Sequence, residues 1–221
     1  MFYNRKSIKV VTPASQMVDA ERVISVDDMK TYLRVDVVVD DDLIGELIDT
    51  ATEAARNYIK RSILLETLEL TLDQPSNNGT DEFDRLGAGT YEGTRQSILG
   101  NLNEIDLPYP PISSIASVKT YGTDNTESTM SSSIYELDET GGRFYLNEGN
   151  VWPSNLRRRE SVKIRYISGY GATPAAIPMA IKQAIRQHVA FMYECREACE
   201  MPPSCKALLQ SYRILDQLGF M

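Results

Sequence analysis

The sequence has little of what chemistry at an active site draws on. It holds one histidine and three cysteines, and the cysteines all fall between Cys195 and Cys205. An odd, clustered set makes no disulfide framework, so reduced thiols in a cytosol are expected. No apolar run approaches the length of a membrane span. The start, Met1-Phe-Tyr-Asn-Arg-Lys, is basic but has no apolar stretch behind it, so no secretory signal is expected. Basic residues are also outnumbered: 23 Lys and Arg stand against 31 Asp and Glu, a net charge of −8. Nucleic-acid binders concentrate Lys and Arg to neutralise phosphates. The acidic balance instead suits a protein that meets another protein, or one that DNA passes without sticking.

What is present is ordinary globular material. The 221 residues are 42% hydrophobic and 24% charged, enough to bury a core in one large domain or two small ones. Residues 1–20 read as an extended lead-in, with Pro13 and no helical period. Ser25 with Asp28 three residues later is a capping-box variant that opens a short helix through Met29 and Leu33. Asp40-Asp41-Asp42 then caps the strongest helix. Leu43, Ile44, Leu47, Ile48, Ala51, Ala54, Ala55, Tyr58 and Ile59 form its single apolar stripe.

The period then changes. Leu68, Leu70 and Leu72 alternate with polar residues, as in a half-buried strand. A Gly-rich stretch from Pro75 to about Gly100 is too long for an ordinary loop. Further strands are expected at Ile105 with Leu107, Ile115–Tyr121, Ile134–Leu137, Arg143–Leu146 and Val162–Ser168, separated by Pro- and Gly-based turns. Helices return with Pro178 in a first turn and Ile177, Ile181, Ala184, Ile185, Val189 and Met192 on one face. Pro202-Pro203 starts a last helix with Leu208, Leu209, Tyr212 and Leu215 facing inward. The expected class is α+β: a helical bundle from residues 1–66 and 173–221, carrying an inserted antiparallel β domain, a small sheet or barrel, over 67–172.

Candidate chemistry is thin. His188, Cys195 and Cys199 share a helix face, with Cys205 just beyond, and four such residues can hold zinc. The spacing is not a usual zinc spacing, and small apolar cysteine belongs in a helix core, which is the favoured reading. No metal or cofactor is therefore assigned. A Ser-His-Asp triad would need its histidine near a strand end, and no Gly-x-Ser-x-Gly elbow is present. Gly87-Ala88-Gly89 lacks the Lys-Ser/Thr of a phosphate loop. Arg157-Arg158-Arg159 is the one local hint of a contact to a partner's acids or to DNA phosphate, set against the simpler reading of a solvated loop. The terminal tip with Leu218, Phe220 and Met221 either tucks into its own core or anchors in a groove of another protein.

Three segments, read in order, resemble one family. Val11–Asp73 resembles the start of phage head–tail connector (adaptor, head-completion) proteins: a short helix ending in Leu33-Arg34-Val35, an acid cluster, then a long helix closing on Tyr58-Ile59. Ile105–Gly122, with Leu107-Pro108 and Pro111-Ile112, resembles that family's middle strand. Val162–Glu197 resembles its strand closing on Gly169-Tyr170, its Pro-x-x-Ile-Lys helix start and its Tyr-x-x-Arg-Glu end. The long Gly-rich insert and the cysteine cluster depart from the family.

The resemblance implies a structural virion protein and no enzyme. It would be a subunit of a dodecameric ring under the portal, which extends the DNA channel and docks later neck or tail proteins. It further implies that Leu218, Phe220 and Met221 reach into the portal protein. The place implied is the host cytoplasm during assembly and the virion neck afterwards, with DNA passing unbound and no membrane involved. A stopper or tail terminator is the alternative neck role. Metal-binding and hydrolytic virion proteins stand behind it.

Overall fold

The computed structural model describes residues 7–12, 22–73, 104–139, 142–195 and 200–214. The Gly-rich stretch, Cys199 and the terminal tip lie outside the described residues. The chain divides into two compact units. One takes Pro13–Glu66, Pro108–Pro111 and Ser168–Met221; the other takes Met1–Thr12, Thr67–Leu107 and Ile112–Ile167. The class is α+β, as expected.

The first unit is helical. Helix α1 (Val26–Leu33) starts where the Ser25 hydroxyl accepts from the Asp28 amide at 3.1 Å, the expected cap. It stops at Arg34, whose left-handed backbone (φ 59) turns its N–H back to the last carbonyls. Helix α2 (Asp41–Ile59) buries Ile44, Ile48, Ala51, Ala55 and Ile59 along the predicted stripe. The acid triplet works differently from a side-chain cap. Asp40 occupies the cap position without bonding a helix amide. Instead it accepts from the Tyr193 hydroxyl at 2.7 Å, and Asp41 pairs with Lys30 at 2.6 Å. Asp41 and Asp42 still sit in the first turn, where negative charge offsets the helix dipole.

Helix α3 (Met179–Cys195) lays Ile181, Ala184, Ile185, His188 and Val189 against α2, and α4 (Pro203–Leu209) adds Cys205 and Leu209 to the same core. Leu208 and Tyr212 pack at its margin. No one of these helices can bury its stripe alone, so the two ends of the chain fold together.

The second unit is built of strands β1 (Ser7–Thr12), β2 (Glu66–Leu72), β3 (Glu104–Asp106), β4 (Ile112–Tyr121), β5 (Glu127–Thr129), β6 (Tyr135–Asp138), β7 (Arg143–Leu146) and β8 (Val162–Ser168). They form two sheets, one of five strands in the order β1-β2-β8-β4-β5 and one of three in the order β3-β7-β6. Strands β2 and β8 are central. They bury Leu68, Leu70, Val162, Ile164 and Tyr166 completely, and Glu69 of β2 meets Arg165 of β8 at 2.8 Å. Against the smaller sheet, Trp152 stacks on Phe144 (5.8 Å between centroids), and Phe144 meets Tyr135 at 5.2 Å. Strands β1 and β5 are additions to the expected set. The lead-in is partly a strand because Ile8 and Val10 fall opposite Leu70 and Leu68.

Candidate assembly surfaces

A buried ion pair in the helical unit serves cohesion. Lys60 ends α2 in a left-handed conformation (φ 58), and the chain doubles back so that Glu66 comes beside α2. There Arg56 Nε donates to Glu66 Oε1 at 2.8 Å, and the Ser62 hydroxyl donates to the same oxygen. The Arg56 guanidinium also lies 4.2 Å over the Tyr109 ring. The Ser168 hydroxyl donates to the carbonyls of Tyr109 and Pro111, tying Pro108–Pro111 into the same unit. The one carboxylate here takes both hydrogen bonds on Oε1, from Arg56 and Ser62, which holds it as the ionised partner of Arg56.

The cysteine and histidine positions separate. Cys205 is buried, its thiol pushed up by burial and directed at Gln187 Oε1 at 3.8 Å, while Cys195 is exposed. His188 is buried, with neither ring nitrogen hydrogen-bonded. Among the described residues no three His, Cys, Asp or Glu side chains are grouped to hold a metal. Burial alone lowers the His188 pKa from its ordinary 6.5.

The sign of the pH effect follows from that direction. The neutral imidazole is favoured in the folded chain, so its contribution is complete above pH 6.5 and is lost as pH falls toward the lower folded value. Wild-type protein should therefore lose denaturant resistance between pH 7 and pH 5. His188→Leu should flatten that part of the profile. Urea melts at several pH values check this, and parallel profiles for the two proteins would contradict it.

Partner contacts must come from the surface. The connection between α1 and α2 carries Val37, Val38 and Val39, exposed by 53%, 75% and 91%, with Leu43 half exposed behind them. Adjacent exposed apolar side chains of this kind mark contact sites more often than isolated ones do. On α3, Met179 is 67% exposed. Within the β unit, strand β1 leaves Ile8, Val10 and Val11 partly open at the edge of the five-stranded sheet.

The arginine run is not uniform. Arg157 is fixed in place, donating to the Glu160 carbonyl and to Asn125 and lying 4.5 Å over the Tyr121 ring. Arg158 and Arg159 are exposed beside it. Glu127 holds its carboxyl below the usual range through hydrogen bonds from Lys119 and Tyr121, so this corner of the sheet is a charge-balanced surface. Leu218, Phe220 and Met221 lie outside the described residues.

Residues 23–86 match the family of Phage gp6-like head-tail connector proteins. The resemblance to head–tail connectors thus holds over that span. It takes in α1, α2 and β2, and with them the Arg56–Glu66 pair. Among solved structures, a chain described as the neck of an empty GTA particle computed with C6 symmetry superimposes with a TM-score of 0.67 at 18% identity, covering 97% of this chain and 98% of that one. A chain from the virion of a native gene transfer agent particle gives 0.68 at 17% identity, covering 96% and 98%. One from the neck of a native GTA particle computed with C12 symmetry gives 0.67 at 19% identity, covering 97% and 98%. At these identities the likeness establishes a shared fold from end to end. Among curated protein sequences none matches the chain. The expectation of a structural, non-enzymatic protein agrees with the connector match and these neck structures.

Proposed function

We propose that this chain is a head–tail connector subunit of the adaptor type, which joins with copies of itself in a ring beneath the portal protein, extends the DNA channel and docks later neck or tail proteins. The observation that carries this reading is the end-to-end likeness to chains from particle necks, together with the connector-family match over residues 23–86. Neck structures computed with C6 and C12 symmetry suit a ring, and a dodecamer is the proposed state on the particle. The net charge of −8 suits a channel wall that repels DNA and lets it slide without specific binding. The particle neck is the proposed final location, reached after assembly in the host cytoplasm.

Two contacts belong to the proposal. The tip with Leu218, Phe220 and Met221 is the portal anchor, because a short segment ending in an aromatic and a methionine suits a hydrophobic groove. Arg158 and Arg159, exposed beside the immobilised Arg157, offer positive charge to a partner's acids or to passing phosphate.

Co-sedimentation with the cognate portal ring tests the role. Full-length protein should pellet with the ring, and protein truncated after Leu215 should lose most of that binding. Retention by both would keep the connector role and move the anchor elsewhere. Binding by neither would remove the role.

A further inference from the structure

The helical unit carries two exposed apolar tips of opposite electrostatic character. The first is Val37-Val38-Val39. It is rimmed by Asp36 and Asp42, both exposed and unpaired among the described residues. The loop is braced at several points. The Val35 amide bonds the Lys30 carbonyl at 3.1 Å and the Asp41 amide bonds the Val38 carbonyl at 3.1 Å. Tyr193 and Lys30 hold Asp40 and Asp41. A valine ridge fixed in this way loses little conformational freedom on docking.

The second tip is Met179 at the start of α3. Lys182 and Arg186 lie three and seven residues on, so all three share the helix face opposite Ile181, Ala184, Ile185 and His188. Neither Lys182 nor Arg186 is ion-paired among the described residues. The two tips are at opposite ends of α3. Tyr193 holds Asp40 next to the valine ridge, and residues 179 and 193 are about 20 Å apart at 1.5 Å per residue. One copy cannot bring its own tips together.

We propose that the acidic valine ridge of one subunit docks against the basic Met179 face of the next copy. This rests on the ring reading above and names the surfaces that close it. Ring contacts are heterologous, so two different patches must fit each other. An apolar centre inside a rim of opposite charges gives both attraction and register. A homotypic contact of either tip would instead oppose like charges, Asp against Asp or Lys against Lys.

The test uses the full chain with Cys195→Ser and Cys199→Ser as background, adding Val39→Cys and Met179→Cys. Under mild oxidation at high protein concentration the double variant should give a ladder of disulfide-linked multimers. The two single variants, mixed, should give only a heterodimer. A disulfide needs Cβ atoms within about 4.5 Å, so a link within one copy is excluded by the separation. In a second measurement, Val38→Lys, an exposed change that sets a like charge against Lys182 and Arg186, should weaken self-association roughly tenfold or more. A ring detected by native mass or electron microscopy without the Val39–Met179 ladder would overturn this contact and leave the ring reading standing. A chain that gives no ladder and no ring even in the presence of the cognate portal ring would overturn the contact and the ring reading together.

Discussion

Arg56→Ala should cost the helical unit about 3–5 kcal/mol, the range for stranding one member of a buried ion pair. Glu66 is 5% exposed, and its Oε1 takes hydrogen bonds from both Arg56 and Ser62. Removing the guanidinium leaves a carboxylate that Ser62 alone cannot compensate, and it also takes the cation from the Tyr109 ring. Arg56→Lys keeps the charge but loses the Nε–H bond to Glu66 and the flat face over Tyr109, so its cost should fall between wild type and alanine. Arg56→Met with Glu66→Gln removes both charges and should recover much of the loss, because the penalty belongs to the unpaired carboxylate more than to the missing contact. Chemical denaturation of the four proteins checks the order. An alanine variant as stable as wild type would mean that water reaches Glu66 and the pair contributes little.

That cluster shows what was and was not legible in the sequence. The apolar stripe of α2 was legible because the 3.6-residue period runs unbroken from Ile44 to Ile59. The bounds of β7 and β8 fell where Gly142 and Gly169 punctuate the chain. Strand β5 was not legible, since Glu127-Ser128-Thr129 is polar and exposed and has no apolar alternation, and what holds it is pairing with Lys119 to Tyr121, including the side-chain bonds of Glu127. Strand β1 had its alternation masked by the polar lead-in around it and by the irregularity between Val10 and Thr12.

The acid triplet was rightly placed at a helix start, yet its bonds to Tyr193 and Lys30 depend on tertiary proximity that no local rule supplies. The same holds for Arg56 and Glu66, whose ten-residue separation says nothing until Lys60 turns the chain back. The valine ridge did have a signal: three β-branched residues between a helix stop at Arg34 and an acid cap at Asp40 have no helix face to occupy. The basic run was legible as a charge cluster, but not the fixing of Arg157 between Tyr121 and the Glu160 carbonyl.

Gly169→Ala should be the most damaging alanine substitution among the described glycines. Gly169 ends β8 at φ +139, a conformation that side-chain-bearing residues rarely adopt. The added Cβ would also run into the backbone of Leu64 and Leu65, meeting the Leu64 carbonyl oxygen, its carbon and the Leu65 nitrogen. Backbone cannot swing aside as a long side chain can. Around that point the Gly169 amide bonds the Pro111 carbonyl at 2.9 Å, the Tyr170 amide bonds the Ile63 carbonyl at 3.3 Å and the Leu65 amide bonds the Gly171 carbonyl at 3.3 Å. Relief of the clash must stretch this lattice, so strain of about 3 kcal/mol or more is expected, with a matching fall in melting temperature. Gly149→Ala is the control. Gly149 also has positive φ (+84), but nothing lies within 4 Å of its added Cβ, so only the conformational cost of about 1 kcal/mol remains. Equal losses for the two variants would show that backbone conformation alone sets the cost. A much larger loss at Gly169 would show that the close approach to Leu64 is what requires glycine there.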